Sequence, residues 1–292
     1  MTVSFGIQGS GQQVGGAPDP GFYREIAQAA EELGYDSIWA GDHVSFRNPL
    51  LDIVVALSTF AAVTERITLG AAVLLLPLRH PSIVAKEFAS LDYVSGGRVI
   101  LGVGVGGEGE KDYEAVGVDV HERGARANEA MRALRELFAG RPASFQGRFF
   151  SFDGISIEPG PAQHGGPALW VGGRSDAAIR RAATLGDGWM PIWVSVERFR
   201  RGLEQLPEHV VRAVTLPAHV GDKRALYEHL RLRYAGDFTE HVVDRYCVAG
   251  TPEECADRVR EYVEAGARHV VFNVAAPEDA ERLAEVALAA AR

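Results

Sequence analysis

The sequence predicts an α/β protein built as a (β/α)8 barrel. Three observations carry that prediction. Strand-like and helix-like patterns alternate along all 292 residues. Eight strand–helix units can be marked out, more than a doubly wound sheet usually needs. Runs such as residues 67–76 and 99–103 are apolar throughout, as parallel strands covered on both faces by helices are. After the first strand comes GSGQQVGG. It lacks dinucleotide-fingerprint spacing and does not open directly into a helix, which disfavours a Rossmann sheet. The chain is expected to form a single domain over residues 1–292, with insertions at about 143–160 and 217–248 beside the carboxyl-terminal mouth.

The elements follow in order. Residues 3–8 read as a first strand. Residues 21–33 read as a helix with Phe22, Ile26, Ala29, Ala30 and Leu33 on one face and Gly34 as its stop. Residues 37–40 form a short second strand and 52–63 a second helix. The third strand runs through 67–76, Pro81 starts the next helix, and 99–103 is the fourth strand. Residues 124–138 are helical, with Met131, Leu134 and Leu137 at core spacing. A β-excursion at 145–157 precedes the fifth strand, 168–171. Ser175 is the candidate N-cap of a helix running to 185. The sixth strand is 188–192, followed by a helix over 196–206, and the seventh strand is 211–216. Residues 215–248 read as a loop and a helix (223–234) over the barrel mouth. Thr251 and Glu254 have capping-box spacing around Pro252. The eighth strand is 269–274 and the closing helix 277–291.

Bulk properties exclude several function classes. A net charge of −9 argues against general nucleic-acid binding. No apolar run reaches the roughly 18 residues of a membrane span, and MTVSFGIQGS carries no export-signal pattern. The two cysteines, Cys247 and Cys255, are too few for a disulfide framework, and no His/Cys cluster has zinc spacing. A cytoplasmic protein with reduced thiols and no metal is expected. Lysine occurs only at 86, 111 and 223, the other basic residues being arginine.

Five places could carry chemistry. Asp42 and His43 follow the second strand at the active-site end, where a histidine can move protons near neutrality; a capped turn with a surface histidine is the alternative. Gly102, Gly104, Gly106 and Gly107 make backbone that can approach a ligand closely, and Glu108, Glu110 and Asp112 after them could supply a carboxylate or simply form a solvated loop. Gly172, Gly173, Arg174 and Ser175 open a helix, an anion site by its free N–H groups or an ordinary N-cap. Arg79 and His80 read as a polar helix entry. Trp189 and Trp193 flank the sixth strand as pocket wall or core.

With these residues in place, the chain resembles the luciferase-like monooxygenase superfamily, in its coenzyme F420-dependent oxidoreductase branch. The resemblance rests on GYDSIWAGDH, LGAAVLLLPLRHPSIVAKEFASLDYVSGGRVILGVGVG, HERGAR, WVGGRS…RRAATLGDGW and GTPEECADRVREYVEAG, and spans nearly the whole chain. It implies a TIM barrel with an isoalloxazine-type ring at the mouth. Asp42 would contact the ring, and His43 would be the acid or base near its reactive face. Ala72–Val73 would form a cis peptide bracing the ring. Val105 and Gly106 would border the ring or tail, and Glu108 would be the acidic catalytic residue. Gly172, Gly173, Arg174 and Ser175 would receive the cofactor phosphate, and Arg174, Arg180 and Arg181 could meet an acidic tail.

Val44-Ser45-Phe46 stands where an aromatic residue follows the Asp-His pair of the family's sugar-phosphate dehydrogenase. The lysines that bind the sugar phosphate there have no counterparts, which disfavours that substrate. The implied function is hydride transfer between coenzyme F420 and a small-molecule substrate, by a homodimer. Arginine-rich, high-GC composition favours the deazaflavin. The alternatives are an FMN-dependent monooxygenase using reduced flavin and oxygen, and a non-catalytic flavin-binding protein.

Overall fold

The computed structural model describes residues 3–9, 19–106, 109–234, 239–274 and 278–291. The first half runs β1 (Ser4–Gln8), α1 (Phe22–Glu32), β2 (Ser37–Ala40), α2 (Ile53–Val63), β3 (Thr68–Ala71), β4 (Leu74–Leu75), α3 (Pro81–Ser95), β5 (Val99–Gly104), α4 (Lys111–Val116) and α5 (Arg123–Phe138). The second half runs β6 (Ala143–Gln146), β7 (Ser151–Ile155), β8 (Ala168–Gly172), α6 (Asp176–Leu185), β9 (Gly188–Met190), α7 (Val196–Leu203), β10 (Val211–Val220), α8 (Lys223–Tyr234), α9 (Glu240–Tyr246), β11 (Val248–Gly250), α10 (Pro252–Glu264), β12 (His269–Val274) and α11 (Asp279–Ala290).

Pairing closes the sheet. The order β12-β1-β2-β3-β5-β8-β9 is completed by β10, which pairs with both β9 and β12. All of these ladders are parallel. The result is the (β/α)8 TIM barrel, with β4 extending the β3 side along β5 and β11 flanking β10. The barrel interior holds Trp39, Trp170, Met190, Ala213 and Val271. Glycines make room for the two indoles. A Cβ on Gly70 would stand 2.1 Å from Trp39, and one on Gly188 2.6 Å from Trp170. Between strands and helices lies the main apolar layer, with Phe60, Phe88, Phe199, Phe272 and Tyr262 among its largest members.

Local chemistry explains the helix ends. Asp52 caps α2 by accepting from the N–H groups of Val54 and Val55 at 2.9 and 3.3 Å. His80 caps α3, Pro81 occupies its first turn, and Gly96 (φ 72°) closes it in the left-handed region. Thr251 and Glu254 form the expected capping box on α10.

Several expectations need correction. The third strand breaks at Ala72–Val73 into β3 and β4, and a 3-10 turn follows at Leu76–Leu78. Apolar run length alone cannot register such a break. The seventh strand continues to Val220 because β11 offers it a second parallel partner. The sixth strand ends at Met190 and the helix after it at Leu203. The 215–248 region holds two helices, α8 and α9, whose apolar faces pack with Trp193. The hairpin β6–β7 matches the expected excursion. Its connecting loop is fastened to α5 by Glu129, which accepts from the N–H groups of Arg148, Phe149 and Phe150 at 3.0, 2.7 and 2.8 Å.

One buried polar chain crosses the barrel. Trp39 Nε1 donates to Ser37 Oγ at 2.7 Å, and that hydroxyl meets His269 Nε2 at 2.7 Å. Burial pushes the His269 imidazole down to about 4. The unfolded chain therefore binds a proton through the window from about 6.5 to about 4 that the native state refuses, and stability falls as pH falls through it. Replacing His269 by Gln is expected to remove roughly 2 kcal/mol of acid-induced loss between about pH 7 and pH 5. Thermal unfolding followed against pH checks this; a variant with the wild-type slope would show that His269 is protonated in the fold.

Candidate active site

Parallel strands bring the loops after β2, β3, β5, β8, β9 and β10 to one end of the barrel. The floor of that end is organised round Val73, joined to Ala72 by the expected cis peptide. A Cβ on Gly104 would lie 2.4 Å from Val73 Cγ2, and one on Gly172 2.8 Å from Val73 Cγ1. A Cβ on Gly102 would lie 2.0 Å from the Ala71 carbonyl oxygen. These glycines were expected to leave room for a ligand. Instead, their space is filled by Ala71 and Val73. Ala72, Val73, Val105 and Gly106 are each only half-buried, an apolar surface at the strand ends. Tyr113 donates its hydroxyl to the Val105 carbonyl, and burial pushes its phenol up to about 12, so it stays a donor.

Asp42 lies beneath this surface, 3% exposed. Its carboxylate accepts from Leu75 N at 3.0 Å and from Arg79 Nη2 at 2.8 Å. The same guanidinium reaches Asp52 at 2.9 Å and approaches Glu87 at 3.9 Å. Burial raises the Asp42 carboxyl above the usual carboxylate range, against the pull of Arg79 and the Leu75 N–H. Burial raises Glu87 as well, and its Oε2 has no hydrogen-bond partner. Asp42 therefore spends its side chain on tying the end of β2 to β4 and to the entry of α3. Both of its partners come from this chain, Leu75 and Arg79.

His43 follows and meets a different carboxylate. Its Nδ1 lies 2.8 Å from Asp112 Oδ2, while Asp112 Oδ1 accepts from the N–H groups of Val44 and Ser45 at 2.8 Å each. With Oδ2 accepting, Nδ1 carries the hydrogen, and in the neutral form of the ring Nε2 is then the acceptor. The imidazole stacks on Phe46, centroids 4.2 Å apart and planes 11° off parallel. Glu108 lies outside the described residues. Sequence reasoning had grouped Asp112 with the other acidic residues of its loop. Its signal is the short run 111–116 closed by Gly117, a helix whose buried residues are Asp112 and Tyr113.

The start of α6 borders the same end. Ser175 Oγ accepts from Ala178 N at 3.2 Å, and Gly173 has φ 101°. Trp189, expected as a pocket wall or core, is core: it stacks on Phe199 and its Nε1 donates to the Gly173 carbonyl at 2.9 Å. Trp193 is a wall, held at φ 57°, an uncommon conformation for a non-glycine residue, and its carbonyl accepts from Arg174 Nη1 at 3.0 Å. Arg181 is buried, donating to Asn128 Oδ1 at 2.6 Å and to the Gly124 carbonyl, so it does not reach the mouth.

A cavity of about 1020 Å³ opens among Phe46, Arg174, Trp193, Ser195, Tyr234 and Tyr246. Arg47, Lys111, Arg198, Arg201, Arg233 and Arg245 also line it, and none of its lining residues among those described is acidic. Aromatic and cationic residues together in one cavity fit a flat ring that carries an anionic arm. Among the described residues no group of three or more His, Cys, Asp or Glu could hold a metal ion.

The family model for luciferase-like monooxygenases matches residues 1–215. An F420-dependent glucose-6-phosphate dehydrogenase of Nakamurella multipartita is 27% identical, over 93% of this chain and 90% of its own. The solved structure of an F420-dependent secondary alcohol dehydrogenase with an F420-acetone adduct superposes with a TM-score of 0.85 at 20% identity, covering 99% of each chain. Monooxygenase RslO1 from Streptomyces bottropensis superposes at 0.80 with 22% identity, over 98% of this chain and 97% of its own. At these identities the two structures establish the barrel.

The packing under Val73 has a direct test. Gly102→Ala is expected to cost about 1–3 kcal/mol through overpacking against the Ala71 carbonyl. Gly109→Ala, where nothing among the described residues lies within 4 Å, is expected to stay within about 0.5 kcal/mol of wild type. Denaturant unfolding of both variants measures the contrast; equal stabilities would show that the floor tolerates a side chain at Gly102.

Proposed function

The chain belongs to the luciferase-like monooxygenase family, and from that premise we propose that it is an oxidoreductase transferring a hydride between coenzyme F420 and a small organic substrate. The observation that carries the proposal is the His43–Asp112 couple, whose imidazole stacks on Phe46, a residue that lines the cationic cavity. The curated relative from Nakamurella multipartita is F420-dependent, in agreement with it. When bound, the deazaflavin supplies a two-electron hydride acceptor or donor.

The protein's own part is orientation and proton handling. Asp112 holds Nδ1 of His43, so Nε2 can take up or return the proton that accompanies oxidation or reduction at a substrate carbon. Asp42 acts at one remove, as a positioning residue that fixes the strand end from which His43 projects. Ala72, Val73, Val105 and Gly106 give the ring an apolar seat. Gly172, Gly173, Arg174 and Ser175 would hold the phosphate: Gly173, Arg174 and Ser175 are exposed at the start of α6, where free N–H groups and the helix dipole favour an anion. We also read residues 1–292 as one domain. The homodimer reading is supported by Val55 on α2 and by Ile83 and Val94 on α3, which are 53, 57 and 72% exposed. Light scattering at twice the chain mass is expected; a monomer at working concentration would remove that reading.

Fluorescence titration with F420 and with FMN tests the cofactor. Submicromolar to micromolar F420 affinity, at least tenfold tighter than FMN, is expected. The opposite order would favour the monooxygenase alternative. His43→Ala is expected to leave F420 affinity within tenfold while lowering turnover by about 10²–10⁴ with any substrate that bleaches the cofactor. Unchanged turnover would remove His43 from the mechanism.

A further inference from the structure

Three of the seven cations of the cavity are already engaged. Arg174 and Arg198 are tied together at the start of α6: Arg198 Nη2 donates to the Arg174 carbonyl at 3.0 Å and to Asp176 at 2.6 Å. Lys111 is bonded to Glu114 at 2.6 Å. Arg47, from the loop after β2, and Arg233, from the end of α8, also line the cavity. Neither has a carboxylate partner among the described residues, in a chain whose net charge is −9.

Arg233 is the more telling of the two. Its guanidinium lies 5.9 Å from the Phe46 ring centroid and 5.3 Å from that of Tyr234. Its Nε is buried with no hydrogen-bond partner. The guanidinium also lines the cavity with no carboxylate counter-ion among the described residues, and a bound anion would supply one. Stacking on aromatic faces holds the guanidinium plane while leaving its edge donors free for a planar oxyanion. Asn48 Nδ2 donates to the Arg233 carbonyl at 3.1 Å, which ties the end of α8 to the loop that begins at His43. Phe46 thus meets both His43, by stacking, and the Arg233 guanidinium.

We propose that Arg233, with Arg47, forms the substrate subsite for an organic anion, whose apolar or aromatic body lies against Phe46, Trp193 and Tyr234. An anionic group held at Arg233 is then one aromatic ring away from His43, which suits a compact substrate carrying a carboxylate or phosphate a few bonds from the carbon that is oxidised or reduced. The inference deepens the hydride-transfer reading and rests on it for what the bound molecule presents to His43. The arginines near α6 are left for the anionic arm of the cofactor.

The test is calorimetric titration of benzoate, phenyl phosphate and their neutral counterpart benzamide into the full chain, with and without F420. At least one of the two anions is expected to bind tenfold or more tighter than benzamide, with an advantage that shrinks at high salt. The tighter of the two names the anionic group. Arg233→Met is expected to lose at least tenfold in affinity for that anion, with benzamide and F420 within twofold of wild type, and Arg233→Lys to recover part of the loss. Equal binding of the three probes, or binding of none, would overturn the proposal. So would an Arg233→Met loss as large for F420 as for the anion, which would assign the arginine to the cofactor. Failure of F420 binding alone would overturn the cofactor reading and leave the subsite to be judged from the cofactor-free titrations.

Discussion

The mouth of this barrel depends on the buried Asp42 carboxylate. It holds the Leu75 N–H and Arg79 at once, and through Arg79 it reaches Asp52, the N-cap of α2. One side chain thereby locks together the end of β2, the strand fragment beyond Ala72–Val73 and the entries of two helices. His43 is the next residue and takes its position from that lock. Burying a carboxylate is costly unless it is paired and hydrogen-bonded, and here both conditions are met. Val73 completes the floor by occupying the space that side chains at Gly104 and Gly172 would need.

Charge separates the site from the rest of the molecule. An acidic chain would repel an anionic ligand from most of its surface, yet the cavity gathers arginines from the loop after β2, from the α6 and α7 region and from α8 and α9. Such a cavity focuses field lines and draws anions inward. Aromatic walls then supply the affinity that long-range charge does not, and the Arg233 guanidinium, with no carboxylate partner among the described residues, marks one point where an anionic ligand would find its counter-charge.

Much of the fold was legible because its signals are local. Alternating periodicity, Gly34 at a helix end, Ser175 and Thr251 at helix starts, and apolar runs buried on both faces each report a nearby structural need. The cis peptide at Ala72–Val73 came from family likeness; periodicity saw only an unbroken strand from Ile67 to Leu76. What stayed hidden depends on contacts distant in sequence. Asp112 is 69 residues from His43, and nothing in its acidic neighbourhood distinguishes it until α4 is folded against the mouth. Asp42 drew attention as half of an Asp-His pair, but the direction of its carboxylate is decided by Leu75 and Arg79. Gly102, Gly104 and Gly172 read as open backbone, since a sequence does not show which side chain fills the space a glycine leaves. Arg233 lay in the segment whose pattern was weakest.

The central claim is that the apolar floor and the His43–Asp112 couple together form a seat for a deazaflavin. A crystal structure of the protein with bound F420 tests it most directly. Ring density over Ala72–Val73 with His43 beside its reactive edge, and phosphate density against residues 172–175, is the expected result. A ring bound away from His43, or a phosphate held elsewhere in the mouth, would contradict it.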